Sequence, residues 1–186
     1  MASLMRCKSC GFVLAEGKLG DVCPACGVPR KMFEPWNDPV SPKRRMILGL
    51  DLHPIVVHFP ISFGAAAFVV SVFVLAFPEL FADTARIILS TFAGVLPLVA
   101  AAAIATGLFD GKVRFRRVTT QLLKRKIALG TVFTVSALAA AIITLVFGTS
   151  VLWVRVVDVA LLTSCVIASV GLGKIGSSLM SALFPG

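Results

Sequence analysis

Four long stretches of apolar residues constrain this chain more than any other feature. They cover residues 52–77, 87–109, 127–147 and 153–173. A helix of roughly 20 mainly apolar residues crosses the hydrocarbon core of a bilayer, which is about 30 Å thick. Hydrophobic residues make up 58% of the chain, above the range of soluble domains. The sequence therefore predicts a mainly α fold built on a bundle of four transmembrane helices.

The fourth stretch differs from the others because two charged residues, Arg155 and Asp158, lie in its first turns. Residues three apart share one face of a helix. We expect the two side chains to form an ion pair, which would lower the cost of placing them in a bilayer.

The positive charges predict the orientation of the bundle. With four spans, one side of the membrane carries almost all of them, and the opposite loops offer only Arg86 and Arg155. Loops rich in lysine and arginine remain in the cytoplasm, so we expect a multi-pass protein of the inner (cytoplasmic) membrane with both termini cytoplasmic. Because topology already explains the net charge of +9, no nucleic-acid partner is expected. The cytoplasmic cations are Lys43, Arg44, Arg45, Lys112, Arg114, Arg116, Arg117, Lys124, Arg125, Lys126 and Lys174.

The first 46 residues are mostly polar and contain no apolar core long enough for a secretory signal. We therefore expect this segment to remain in a reducing compartment. Paired cysteines in such a compartment more often bind metal than form disulfides.

Four of the five cysteines form two knuckles, Cys7-Lys8-Ser9-Cys10-Gly11 and Cys23-Pro24-Ala25-Cys26-Gly27. Two intervening residues allow one short turn to direct both sulfurs at the same ion. The following glycine lets the backbone turn so that its N–H groups can face the sulfurs. Two knuckles complete a tetrahedral cage, which suits zinc and iron equally.

The knuckles resemble the rubredoxin-like domain that ends rubrerythrins. The resemblance covers residues 5–36: the run Arg6-Cys7-Lys8-Ser9-Cys10-Gly11-Phe12-Val13, twelve residues between Cys10 and Cys23, then Cys23-Pro24-Ala25-Cys26-Gly27-Val28-Pro29 and Phe33-Glu34. It implies one iron ion that cycles between Fe(III) and Fe(II), with Cys7, Cys10, Cys23 and Cys26 as ligands and zinc as the alternative.

The chain departs from that family at two points. Phe12 stands where the family usually has tyrosine, which keeps the aromatic packing. No Glu-x-x-His motif occurs on the spans, so the peroxidase activity of rubrerythrins is not carried over.

The predicted metal-binding domain, residues 1–36, consists of short β-strands and knuckles with a small core. Its large apolar residues are Phe12, Leu14, Phe33 and Trp36, so bound metal must contribute much of the folding energy. Residues 37–50 form a short, fairly stiff linker, and residues 51–186 form the membrane domain.

Both histidines of the chain lie at the start of the first span, within His53-Pro54-Ile55-Val56-Val57-His58-Phe59-Pro60. Pro54 suits the first position of a helix, and Pro60 removes a helical hydrogen bond and predicts a kink. Five residues turn a helix by about 140°, so the two imidazoles face different neighbours. One interpretation is an interfacial histidine plus one hydrogen-bonded in the bundle; the other is a cofactor site in which His58, predicted to lie deeper, is the better ligand.

The stretch from His53 to Pro60 also resembles the first span of DUF2231, a family of small bacterial membrane proteins of unknown function. The resemblance extends over residues 50–148 and includes Thr106-Gly107-Leu108-Phe109-Asp110 at the end of the second span. The histidine that would follow the second span is absent, which disfavours a bis-histidine haem within one chain.

These features together predict an electron carrier, or a subunit of a redox complex, rather than an enzyme on its own. A cytoplasmic redox protein would exchange electrons with the iron, and the iron with a b-type haem or a quinone in the membrane. His58 is the candidate haem ligand. His53 is a candidate to ligate, to hydrogen-bond a cofactor or to handle protons.

Two other functions fit the same sequence. The cysteine domain is alternatively a structural zinc ribbon that docks a partner protein, with the spans as its anchor. The bundle is alternatively a small transporter or channel with His53, His58 and Asp110 along a polar path. Small residues in the spans would allow close packing within the bundle or in a homo-oligomer, and Cys165 is expected to act as a small apolar residue.

Overall fold

The computed structural model describes residues 3–37, 40–115 and 119–180. These described residues are mainly helical, at 73%. The chain divides into two compact units, of which one contains the described residues up to Met46 and those from Ser178 on, and the other contains Ile47–Ser177.

The N-terminal unit contains a three-stranded antiparallel sheet. Its strands are β1 (Leu4–Cys7), β2 (Val13–Ala15) and β3 (Phe33–Trp36), in the order β2-β1-β3. Single 3-10 turns cover Glu16–Lys18 and Arg30–Met32. Pro35 is tolerated in β3 because β3 is an edge strand of this sheet. The short strands expected from the sequence are confirmed.

The core of this unit differs in part from the predicted one. Phe33 is buried and Leu14 packs against it, as expected. Phe12 is 40% exposed, so its assignment to the core was wrong, and Leu19 is buried instead. Trp36 packs at the surface, where the Arg6 guanidinium lies 4.5 Å from its ring centroid. Three of the remaining buried side chains are cysteines, so the core is built largely around sulfur.

A short helix, α1 (Pro42–Leu48), occupies half of the predicted linker. Pro42 is its first residue, a position where the missing N–H costs nothing. The Arg45 amide donates to the Ser41 carbonyl over 2.9 Å. The sequence predicted a short, fairly stiff linker here and did not identify this helix. The predicted linker residues Asp38 and Pro39 lie outside the described residues.

The second unit is built from α2 (Leu52–Val56), α3 (His58–Ala76), α4 (Ala82–Phe115), α5 (Gln121–Phe147) and α6 (Leu152–Met180). Within the described part of the chain, four helical segments are long and apolar enough to cross a membrane. This matches the number predicted. The helices extend past the apolar stretches, because hydrogen bonding continues through polar flanks such as the start of α5, where the Thr120 hydroxyl accepts from the Leu123 amide.

The core of the helical unit is made mostly of small residues, while large apolar residues lie outside. Val69, Leu98, Val146 and Val170 are each more than 60% exposed. A bundle surrounded by water would bury such side chains, whereas a bilayer solvates them. Small residues do pack inside the bundle, although Ala101 and Ala102 are exposed. The buried small residues are Ala67, Ala93, Ala100, Ala137, Ala140, Ala141, Cys165 and Ala168.

Candidate metal centre

The first knuckle begins where β1 ends, at Cys7. The Gly11 amide donates to the Cys7 carbonyl over 2.8 Å, and the Cys7 amide donates to the Phe12 carbonyl over 2.8 Å. Gly11 has a φ of 74°, a left-handed conformation that residues with a side chain rarely adopt. These bonds fold the chain back, so that Cys10 lies beside Cys7.

The second knuckle repeats this pattern. The Gly27 amide donates to the Cys23 carbonyl over 2.9 Å, and the Cys23 amide donates to the Val28 carbonyl over 2.8 Å. Gly27 has a φ of 75° and open space around its Cα, so its conformation, and not crowding, requires glycine. The N–H of each glycine bonds a cysteine carbonyl and closes the turn. The backbone N–H of Phe12, which follows the glycine of the first knuckle, faces the Cys10 sulfur, in line with the expected role of the glycine.

The two knuckles bring four sulfurs together. The Sγ atoms of Cys7, Cys10, Cys23 and Cys26 all lie within 4.8 Å of one another. The Cys7–Cys26 and Cys10–Cys23 pairs are each 3.8 Å apart. A tetrahedral ion with metal–sulfur bonds of about 2.3 Å has sulfur–sulfur edges of about 3.8 Å, whereas a disulfide requires about 2.05 Å. The donor set therefore fits one metal ion, iron or zinc, and not two disulfides.

Residues 6–34 match the family model for the rubredoxin-like domain of rubrerythrin. The match contains all four cysteines of the cage and less than a fifth of the chain. No curated protein and no solved structure matches the chain significantly. The N-terminal unit is thus a rubredoxin-like metal-binding domain.

Three of the four sulfurs in the rubredoxin-like domain are enclosed. Cys7, Cys10 and Cys23 are buried, and Cys26 is exposed. Buried thiolates need a nearby cation, because an unpaired charge in a low-dielectric interior is costly. An ion held by these four sulfurs would be shielded on three sides and open to solvent at Cys26.

Burial and hydrogen bonds within the cage give the Cys10 and Cys23 thiols different pKa values before metal binds. At Cys10 the Phe12 backbone N–H lowers the pKa, but burial and the other three cysteines raise it to about 12. At Cys23 burial raises the pKa, while the amides of Cys26 and Ala25 and the thiols of Cys26 and Cys10 lower it to about 7. The cage therefore holds protons that a metal ion must displace.

The two histidines of the helical unit have different surroundings. His58 is exposed, and its Nδ1 lies 2.7 Å from the Pro54 carbonyl. His53 is half-buried, with its Nε2 3.0 Å from Lys126 Nζ and its Nδ1 3.5 Å from Thr106 Oγ1. His58 was predicted to lie deeper in the span than His53, yet its side chain is the more exposed of the two.

A break between α2 and α3 accounts for this difference. The helix is interrupted at Val57, one turn before Pro60, which has no N–H for the Val56 carbonyl. His58 begins α3, and its ring turns back along the outside of the chain. The kink predicted from Pro60 agrees with this interruption.

His53 belongs to a polar cluster that joins three helices, α2, α4 and α5. Gly107 allows the ring to approach α4, since a Cβ at this position would lie 2.9 Å from His53 Cε1. Asp110, one turn further along α4, accepts from Arg114 Nε at 3.4 Å, and Arg114 Nη2 lies 3.8 Å from Asp51 Oδ1. Gly107 and Asp110 belong to the segment that resembles DUF2231. From the sequence, Lys126 was expected only to help set the orientation of the bundle in the membrane.

The expected ion pair between Arg155 and Asp158 does not form. Asp158 is fully buried, and its Oδ2 accepts from Thr144 Oγ1 at 2.6 Å. Arg155 instead donates to the Ser150 carbonyl at 3.2 Å. Asp158 faces α5 inside the bundle, while Arg155 lies at the open end of α6, so their i,i+3 spacing was insufficient to predict a pair. Cys165 is fully buried and its thiol donates to the Phe133 carbonyl, as expected for a small apolar residue.

Proposed function

We propose that this chain is a membrane-bound electron-transfer protein whose rubredoxin-type iron exchanges electrons with an acceptor in the membrane. The observation that carries the proposal is the convergence of four cysteine sulfurs within the segment that matches a rubredoxin-like domain. Bound there, iron supplies one-electron chemistry between Fe(III) and Fe(II). The four sulfurs can hold both states, because a tetrahedral thiolate cage suits either charge.

The residues around the cage determine where electrons enter. Cys7, Cys10 and Cys23 are enclosed, and this shields the ion from water. Cys26 is exposed and gives a cytoplasmic redox protein its shortest approach to the metal. We therefore assign Cys26 to the side of the domain that docks this partner.

The apolar exterior of the helical unit supports its insertion in a bilayer. Val69, Leu98 and Val170 are among many large apolar side chains that it exposes. The clustering of lysine and arginine in alternate loops supports cytoplasmic termini in the inner membrane. The resemblance of residues 50–148 to DUF2231 supports a membrane domain of that type.

The polar cluster at His53 is the candidate acceptor site. Lys126 Nζ carries N–H donors, and its neighbour His53 can exchange protons. A quinone needs hydrogen-bond donors for its carbonyl oxygens. It takes up two protons when two electrons, which the iron would have to deliver one at a time in two successive cycles, reduce it to quinol. The His53–Lys126 pair can supply both needs.

A b-type haem is the second candidate acceptor. The Nδ1 of His58 faces the Pro54 carbonyl, which leaves Nε2 as its ligand atom. Because both ring nitrogens of His53 have close partners and His58 is exposed, the second axial ligand would have to come from another protomer or protein. This arrangement favours quinone for a single chain.

Two alternatives retain specific support. The same sulfur cage suits zinc, which would make the domain a structural zinc ribbon for a partner protein. The buried Asp158–Thr144 pair and the His53–Lys126 pair place polar groups inside an apolar bundle, as a small transporter or channel requires.

Reoxidation of the iron by quinone tests the proposal. Full-length protein in lipid nanodiscs is reduced with dithionite, freed of reductant and mixed anaerobically with decylubiquinone. We expect the thiolate-to-iron absorption to return. His53→Ala and Lys126→Ala should slow this step about tenfold, equivalent to ~1.4 kcal/mol in the barrier.

Lys174→Ala, which removes a cation elsewhere in the helical unit, is the matched control and should react at the normal rate. Iron-loaded protein that quinone cannot reoxidise would exclude quinone as the acceptor. A Soret band that is lost in His58→Ala would assign that role to haem.

A further inference from the structure

A cavity of about 260 Å³ lies at the end of the helical unit where α3 and α5 end and α4 and α6 begin. Its lining includes Phe77, Glu79, Arg86, Thr149 and Arg155. It thus lies at the opposite ends of α4 and α5 from the His53 cluster. The metal and electron-transfer functions proposed above do not involve it.

Arg86 and Arg155 both line this cavity and both contact Ser150. Arg86 Nη2 lies 3.4 Å from the Ser150 hydroxyl, and Arg155 Nη2 lies 3.2 Å from the Ser150 carbonyl. Two positive charges on one cavity wall favour an anion in the cavity. The pair therefore creates a local demand for negative charge.

The carboxylates nearby do not pair with the two arginines. Asp158, one turn from Arg155, is bonded to Thr144 instead. Glu79 lines the cavity, but within the described ranges it forms no ion pair with either arginine. Arg155 Nε is buried without a hydrogen-bond partner among the described residues. A buried donor of this kind is costly to leave unsatisfied, which indicates a missing acceptor.

The lining matches the chemistry of a phosphate group. Guanidinium groups bind phosphate oxygens through pairs of parallel N–H donors. The Thr149 and Ser150 hydroxyls line the same cavity and can donate to further oxygens. Apolar residues such as Phe77 and Leu80 complete the wall, and the cavity lies at the ends of helices with apolar exteriors, where lipid headgroups would meet the protein.

We infer that Arg86 and Arg155 form a binding site for a phosphate-bearing anion, either the headgroup of an anionic phospholipid or free phosphate. The phosphate would lie between the two guanidinium groups and satisfy Arg155 Nε. It would thereby join the start of α4 to the start of α6.

Thermal unfolding of the full metal-loaded chain in maltoside detergent tests this site, with Trp36 and Trp153 fluorescence as the readout. One arm titrates inorganic phosphate against chloride at constant ionic strength. The other titrates dihexanoyl-phosphatidylglycerol against dihexanoyl-phosphatidylcholine. Saturating ligand should raise the midpoint of the helical unit by about 3–8 °C in at least one arm.

The variants Arg86→Gln and Arg155→Gln should abolish the rise, whereas Lys174→Gln should retain it. Should a glutamine variant fail to fold, Arg86→Lys and Arg155→Lys keep the charge but lose the paired donors, and the rise should shrink. A response to phosphatidylglycerol alone assigns a lipid headgroup, and a response to inorganic phosphate assigns the free ion. No rise in either arm, or an equal rise in the arginine variants, would overturn the inference.

Discussion

The two units of this chain are stabilised in opposite ways. The rubredoxin-like domain has a core of a few apolar side chains around four cysteine sulfurs, so a metal ion must provide much of its stability. The helical unit buries many alanines beside a few leucines and valines, and it exposes many other large apolar residues. Its stability therefore depends on close helix packing and on the solvent around it. We thus expect bound metal to hold the rubredoxin-like domain together, whereas helix packing positions the polar side chains of the helical unit.

Removal of the metal gives the largest expected effect and separates the two units. Cys10→Ser, or a strong chelator, should unfold residues 3–37 because a structural metal contributes about 10–16 kcal/mol to such domains. The helical unit should remain folded. Hydrogen exchange in detergent micelles, resolved by peptide, measures both units in one experiment.

Cys165→Ala is the matched control, since this cysteine lies in α6 and has no part in the cage. It should leave exchange in residues 3–37 unchanged. Protection of those residues that survives chelation would contradict the contrast between the two units. It would mean that the small core stabilises residues 3–37 without metal.

Gly107→Ala tests how the helical unit organises its polar groups. The new Cβ would lie 2.9 Å from His53 Cε1, so the ring must move away from Lys126 and Thr106. We expect a cost of about 1–3 kcal/mol in the free energy of unfolding, measured by denaturant titration in detergent.

Gly94→Ala provides a sharp control on the same helix. A Cβ there meets only Leu145 Cδ1 at 3.8 Å, an ordinary contact, and alanine favours the helix. Its stability should be equal to or slightly above that of the parent chain. Equal losses in both variants would mean that His53 does not depend on Gly107.

Metal affinity should also depend on pH. With Cys23 at a pKa of about 7 and Cys10 at about 12, metal must displace the Cys10 proton at every pH below 12 and the Cys23 proton below about 7. Affinity should therefore rise with pH, by about tenfold per unit for each displaced proton. Competition with a chromophoric zinc chelator from pH 6 to 8 measures the slope, and a flat profile would contradict these pKa values.

Features local in sequence were predictable. Cysteines three residues apart with a following glycine are typical of a metal knuckle, so the sequence alone predicts Cys7, Cys10, Cys23 and Cys26 as ligands. The apolar stretches gave the number of long helices but not their ends, because helices continue through polar flanks. Local patterns thus define the metal site and the class of the helical unit.

Features that depend on tertiary packing were missed. The partner of His53 is Lys126, 73 residues away, and the partner of Asp158 is Thr144 on another helix. The i,i+3 spacing of Arg155 and Asp158 carried no information about which neighbours each would meet. Phe12 was placed in the core by residue type, yet it lies at the surface after the first knuckle.

The visible spectrum of the protein purified from its native host, with metal analysis on the same sample, shows whether the cysteine cage holds redox-active iron. We predict about one iron per chain, with broad thiolate-to-iron bands that bleach on addition of dithionite and return on oxidation. A colourless protein that carries one zinc would contradict electron transfer and leave a membrane-anchored zinc ribbon as the function of the cysteine cage.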